Sequence, residues 1–229
     1  MPAGVVADNF ISIGTKCAVT YNIRRYFGTN KSYPMDWWIT PLGSLPELID
    51  NGFDAGIHID NLELVEGKHS VINKRLQVLH HHDFPRDENG LIVDTWRDYV
   101  DEARDRNERR ARRLCDLLEG PDFNILFIDW IGAHQWIQGA QKDGCYAPDA
   151  YEKVSQALSH NFPKSDFRIA VNAYHAAPDP ERFIVLDVVD HGDRLDGTPN
   201  HVGESIRGYD EAFAGMPVRR KSLNDPLAV

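Results

Sequence analysis

Four short apolar runs, at residues 10–14, 124–130, 167–172 and 183–189, constrain this chain more than any other feature. None shows the strict apolar–polar alternation of a strand with one wet face. Runs of this length and texture are the mark of strands buried on both sides, as in a parallel sheet. Between them stand stretches with helical spacing. Residues 17–28 place Val19, Ile23, Tyr26 and Phe27 on one side, with Thr15 suited to cap the start and Gly28 to end it. Residues 95–119 carry a long stripe of Trp96, Tyr99, Val100, Ala103, Ala111, Leu114, Leu117 and Leu118, stopped by Gly120-Pro121. Residues 148–162 form a further helix with Pro148 near its start.

The expected fold is therefore α/β: a single domain with a mixed, mostly parallel sheet flanked by helices. A chain of 229 residues fits one elaborated domain at roughly 150 residues each. Residues 29–94 interrupt the pattern and read as an insertion between the first helix and the long Arg-rich one. Within it, residues 44–50 suggest a short helix, and residues 62–65 and 71–79 a pair of strands joined around Gly67. Residues 192–229 lack clear periodicity and read as an irregular C-terminal segment.

Ligands of open α/β sheets bind beyond the carboxyl ends of the strands. The first run ends at Gly14, and Cys17 follows in the first helical turn. A thiol there meets unpaired backbone amides that favour its thiolate, and Lys16 adds positive charge. Such a cysteine is either a nucleophile or a small apolar plug. His80, His81 and His82 follow a strand, so His80 and His82 are expected on one face and His81 on the other. An imidazole near a carboxylate suits general base work; a polar strand end or a metal site are the competing readings. Asp36, Trp37 and Trp38 lie in a loop delimited by prolines, where the aromatics either wall a pocket or plug the core. His134 follows a strand end and can line the same site. The arginines at 104–113 form either a solvated face of i,i+4 ion pairs or, through inward residues such as Arg110 and Arg113, a grip on an anion.

Composition narrows the partners. The formal charge of −10 argues against general nucleic-acid binding. No apolar run is long enough to span a membrane. Three widely spaced cysteines and the absence of a secretory signal point to a reducing, cytoplasmic setting. No dinucleotide fingerprint, phosphate loop, nucleophile elbow or zinc-binding helix motif occurs, so no cofactor or metal is expected. Oligomeric state is not set by the sequence.

Several motifs occur in a telling order. Ser12-Ile13-Gly14-Thr15-Lys16-Cys17 precedes Arg24-Arg25. Then come Tyr33-Pro34-Met35-Asp36-Trp37, His81-His82-Asp83-Phe84, and Arg109-Arg110 with Arg113 before the second apolar run. Over about residues 10–190 this resembles the bacterial DUF1796 family, described as papain-like cysteine peptidases. The chain departs from the family pattern at Met35, where Phe is usual, and at Trp38, where an aliphatic residue is common. The resemblance implies Cys17 as nucleophile, His81 or His82 as base, and Asp36 as a pocket or orienting acid. It also brings in a papain-like α+β fold as the alternative architecture. Its relatives resemble accessories of surface-polysaccharide gene clusters, which implies a small-molecule, glycan or peptide substrate. A thiol-dependent hydrolase or acyl transferase is the leading reading. A nucleotide-sugar or other glycan transferase on an α/β scaffold, and a binding module with a degenerate site, are the alternatives.

Overall fold

In the computed structural model, residues 5–14, 17–128, 149–172, 179, 181–189, 191 and 206–221 are described. The centre is a four-stranded sheet of β2 (Asn9–Ser12), β7 (Phe123–Ile128), β8 (Asp166–Asn172) and β9 (Phe183–Leu186), in that order and all parallel. The register pairs Ser12 with Phe127, Ile128 with Val171, and Val171 with Val185. Side chains alternate across it. Ile11, Ile13, Leu126, Ile128, Ile169 and Val171 enter one core, while Phe10, Ile125, Phe127, Ala170 and Ile184 enter the other. Burial on both faces explains why these runs are apolar without a break.

The second face is covered by α1 (Cys17–Phe27) and α5 (Ile206–Ala214). Phe27 stacks on Phe10 at 3.8 Å between ring centres, and Phe213 joins Phe27 and Phe127. Arg25 pairs with Asp210 at 2.5 Å, which ties the two helices at their polar rim. Two strands lie beside this face: β1 (Val5–Ala7) pairs in parallel with β10 (Val218–Arg220). The region beyond residue 192, expected to be irregular, therefore contains a helix and a strand. With only nine residues, α5 is too short for its stripe to stand out in the sequence.

The first face carries α2 (Leu45–Asp50), α3 (Val100–Glu119), α4 (Ala150–Asn161) and the segment between α1 and α3. That segment holds an antiparallel sheet in the order β3 (Trp38–Ile39), β6 (Val78–His80), β5 (Val71–Asn73), β4 (Leu62–Leu64). The stretch 71–79, expected as one strand, is two strands around a tight turn in which Gln77 takes a φ of 56°. Trp38 anchors this sheet in the core. It is wholly buried, and the tip of its ring packs on Gly56, where a methyl group would stand 2.2 Å from it. Among the described residues, no helix is long and apolar enough to cross a membrane.

Candidate functional site

The loop after β2 turns at Gly14, whose φ of +120° suits glycine alone. Cys17 then opens α1, at the carboxyl edge of the parallel sheet. It is buried, with 9% of its surface exposed. Thr15 and Lys16 lie outside the described residues, so the expected cap and neighbouring charge have no described position. Cys17, Thr20 and Arg24 are spaced i, i+3 and i+7 and share one face of the helix. Lower on that face, Thr20 Oγ1 donates to Asp36 Oδ1 at 3.3 Å and Arg24 Nη2 to Asp36 Oδ2 at 2.7 Å. The Tyr33 N–H adds a bond of 3.0 Å to the same carboxylate. Asp36 thereby fastens the 3₁₀ turn Pro34–Trp37 onto α1. Burial pushes its carboxyl above the usual range, against the pull of the Tyr33 amide and Arg24. Burial and the Asp36 charge push the Tyr33 hydroxyl up to about 12. Trp37 is half-buried, with the Arg24 guanidinium 5.2 Å from its ring centre.

The histidine run begins where β6 ends. His80 is wholly buried. Its Nε2 meets the Gly56 carbonyl at 2.9 Å and its Nδ1 meets Asp83 Oδ2 at 3.1 Å. Asp83 also accepts from Trp38 Nε1 at 2.6 Å and lies 3.7 Å from Arg110. Burial alone would raise the Asp83 carboxyl. The bond and charge of His80, the Trp38 N–H and Arg110 outweigh it, and the group lies below the usual carboxylate range. Both ring nitrogens of His80 are engaged by oxygen atoms of the protein itself. His80 is thus locked through both ring nitrogens in a buried pair, which leaves neither nitrogen facing a substrate.

Residues 81–84 bend instead of extending the strand, so His80 and His82 do not share a strand face as expected. Arg86 holds the His81 carbonyl, and Arg106 Nη2 holds the Asp83 carbonyl at 2.7 Å. His82 sits between these two clamped carbonyls. Its ring is exposed and meets the edge of Trp37 at 5.4 Å and the ring of His81 at 4.8 Å. His81 Nδ1 is 2.9 Å from Ser70 Oγ. One chain of contacts therefore runs from α1 through Arg24, Trp37 and His82 to His81 and Ser70.

A family model described as "Putative papain-like cysteine peptidase (DUF1796)" matches residues 8–171. That span runs from just before β2 into β8 and includes Cys17, Asp36, Trp37 and the histidine run. The chain belongs to the DUF1796 family. No curated protein and no solved structure matches it.

Several residues of this DUF1796 chain depart from their expected places. Trp38 is core, with its indole N–H spent on Asp83, so it cannot wall a pocket. Asp36 meets Arg24, Thr20 and the Tyr33 amide, and the carboxylate bonded to a histidine is Asp83. The arginine helix divides its labour. Arg104 pairs with Asp101 at 2.7 Å on the solvent side. Arg106 and Arg110, spaced i and i+4, turn inward onto the Asp83 carbonyl and the Asp83 carboxylate, and the exposed Arg113 donates to the Ser32 carbonyl at 2.7 Å. The anions and carbonyls gripped by Arg110 and Arg113 thus belong to the protein itself. His134 and Cys145 lie outside the described residues. Cys115 is half-buried, and burial with the charges of Glu119 and Asp116 pushes its thiol up to about 11, which leaves little thiolate at neutral pH. Among the described residues, no three histidine, cysteine or carboxylate side chains are grouped to hold a metal ion.

The roles of Asp83, Arg24, Arg86 and Arg106 were not evident from the sequence. The spacing of His80 and Asp83, three apart across a strand end, is the signal that could have found the pair.

Proposed function

We propose that this protein is a thiol-dependent hydrolase or acyl transferase in which Cys17 is the nucleophile and His82 the general base, with His81 packed beside it. The observation that carries the reading is the division within the histidine run. His80 is consumed by Asp83 and Gly56, whereas His82 presents an exposed ring on a backbone clamped at both neighbours, against Trp37 and the face of α1 that begins with Cys17. Family membership supports the same chemistry.

In this reading, Cys17 Sγ attacks a substrate carbonyl carbon as its proton passes to His82. The oxygen's developing charge is met by the first amides of α1, where backbone N–H groups are unpaired within the helix. When the tetrahedral intermediate collapses, the carbon–heteroatom bond breaks and the His82 imidazolium gives its proton to the leaving group. Water, or an acceptor hydroxyl or amine, then attacks the thioester. His82 takes its proton, and Cys17 leaves with the acyl bond broken. Trp37 and the cation beside it, Arg24, form one wall for a small-molecule, peptide or glycan-linked acyl substrate. We place the reaction in the cytoplasm, in surface-polysaccharide metabolism.

The test is acyl transfer from a p-nitrophenyl ester. His82→Ala is expected to lower kcat about 10²- to 10⁴-fold, the ordinary contribution of a positioned base, with the unfolding midpoint little changed because the ring is exposed. His81→Ala is expected to have a smaller effect. Undiminished turnover in His82→Ala would remove this residue from the chemistry.

A further inference from the structure

A cleft of about 460 Å³ lies on the antiparallel half of the molecule, lined by Asn51, Asp54, His58, Asn61, Arg75 and Arg104 with Ala55 and Ile57. It is separated from the histidine bend by Trp38, whose ring tip rests on Gly56 beneath the cleft. Its walls are built. Asn73, wholly buried, donates to the Ala55 and Gly56 carbonyls at 3.2 and 3.0 Å and accepts from the Arg75 and Leu76 amides at 3.0 Å each. One side chain thereby fixes both walls, and every hydrogen-bonding position it has is used. Among the described residues, three non-glycine residues hold a positive φ, and two of them, Phe53 and Gln77, shape the loops on either side. Phe53 is a bulky residue at φ 63°, wholly buried and held by Asn107 Nδ2 on its carbonyl at 3.2 Å. Strain of this kind persists only where the surroundings over-determine the conformation.

The chemistry of the lining is mixed in a particular way. Arg75 spends one nitrogen on Glu47 at 2.5 Å, and its other guanidinium nitrogens have no partner among the described residues. Arg104 likewise spends Nη2 on Asp101, with Glu108 at 3.8 Å from Nε. Both guanidiniums retain donors in a protein of net charge −10. Two amides and the Asp54 carboxylate offer further donors and acceptors, suited to hydroxyl groups. No Phe, Tyr or Trp lines the cleft, and the one ring there, His58, is 62% exposed beside Asp60, so the lining offers polar groups in place of an aromatic platform. Asp54 disfavours a compact dianion such as phosphate.

We infer that this cleft is a second ligand site, for a small polyhydroxylated carboxylate of the sugar-acid class. The carboxylate lies against Arg75 and Arg104, and the hydroxyls against Asp54, Asn51 and Asn61. The site is independent of Cys17. Calorimetric titration of the full chain with D-glucuronate, D-glucose and inorganic phosphate tests it. Glucuronate is expected to bind, and glucose, which lacks the charge, to bind at least tenfold more weakly. Arg75→Ala and Arg104→Ala should each weaken glucuronate about tenfold, with Arg75→Lys between Arg75→Ala and the wild type. Both side chains are about half exposed, so unchanged melting of the variants confirms that the fold is intact. Cys17→Ala should bind glucuronate as the wild type does, whatever it does to turnover. No heat with glucuronate, equal binding of glucose, or phosphate binding at least as tight as glucuronate would each overturn the proposal.

Discussion

Asp83→Ala is expected to cost about 3–5 kcal/mol of folding stability, the range seen when one partner of a buried ion pair is removed. The change strands three groups at once. The His80 ring loses its carboxylate partner inside the core, the Trp38 indole N–H loses its acceptor at 2.6 Å, and Arg110 loses its anion. Asp83→Asn keeps an acceptor for Trp38 and removes only the charge, so its loss should be smaller. Denaturant unfolding measures both, provided the slope is unchanged.

The pH dependence has a definite sign. The carboxyl of Asp83 titrates lower in the folded protein than in the unfolded chain. Its contribution is complete above the ordinary carboxylate range and is lost as pH falls through the lower folded value. The stability gap between wild type and Asp83→Asn should therefore close in acid. Asp36 acts oppositely: its raised carboxyl disfavours the folded state as pH rises through it. A gap that stays constant from neutral pH down through the carboxylate range would show that Asp83 carries no special charge interaction.

Cys17→Ala is expected to reduce acyl turnover on the order of 10⁶-fold, the loss typical when a nucleophile is deleted from a catalytic unit. The fold should survive, because alanine fills most of the thiol's place at the head of α1. Cys115→Ala should leave turnover unchanged. With its thiol pushed up to about 11 and its sulfur 3.8 Å from the Gly52 carbonyl, Cys115 packs α3 against the end of α2. Equal activity of wild type and Cys17→Ala would move the chemistry to another residue.

Much of the parallel sheet was legible because two-sided burial writes itself as unbroken apolar sequence. The runs at 124–130 and 167–172 coincide with β7 and β8 to within a few residues over the described span. Less legible was the antiparallel half. Its strands are two or three residues long, too short to show alternation, and its turn at Gln77 uses a left-handed residue that is not glycine. Cys17 could be singled out from its place after a strand and at a helix start, which is a local property. The sorting of the histidines could not. It depends on Gly56 and Trp38, which meet His80 from 24 and 42 residues away, and on Arg106 and Arg110, which meet Asp83 from 23 and 27 residues away, and no local pattern announces such meetings. The same holds for Trp38, whose identity suits either a pocket wall or a core plug until Gly56 and Asp83 are found beside it.

The most direct test of the central claim is the rate at which iodoacetamide alkylates each cysteine, read by peptide mass spectrometry across pH 6 to 9 in wild type and His82→Ala. Cys17 is predicted to label faster than Cys115 at neutral pH, and to slow when His82 is removed, while Cys115 stays slow in both proteins. Labelling of Cys17 no faster than Cys115, or a Cys17 rate indifferent to His82, would contradict the assignment of a thiol nucleophile paired with that histidine.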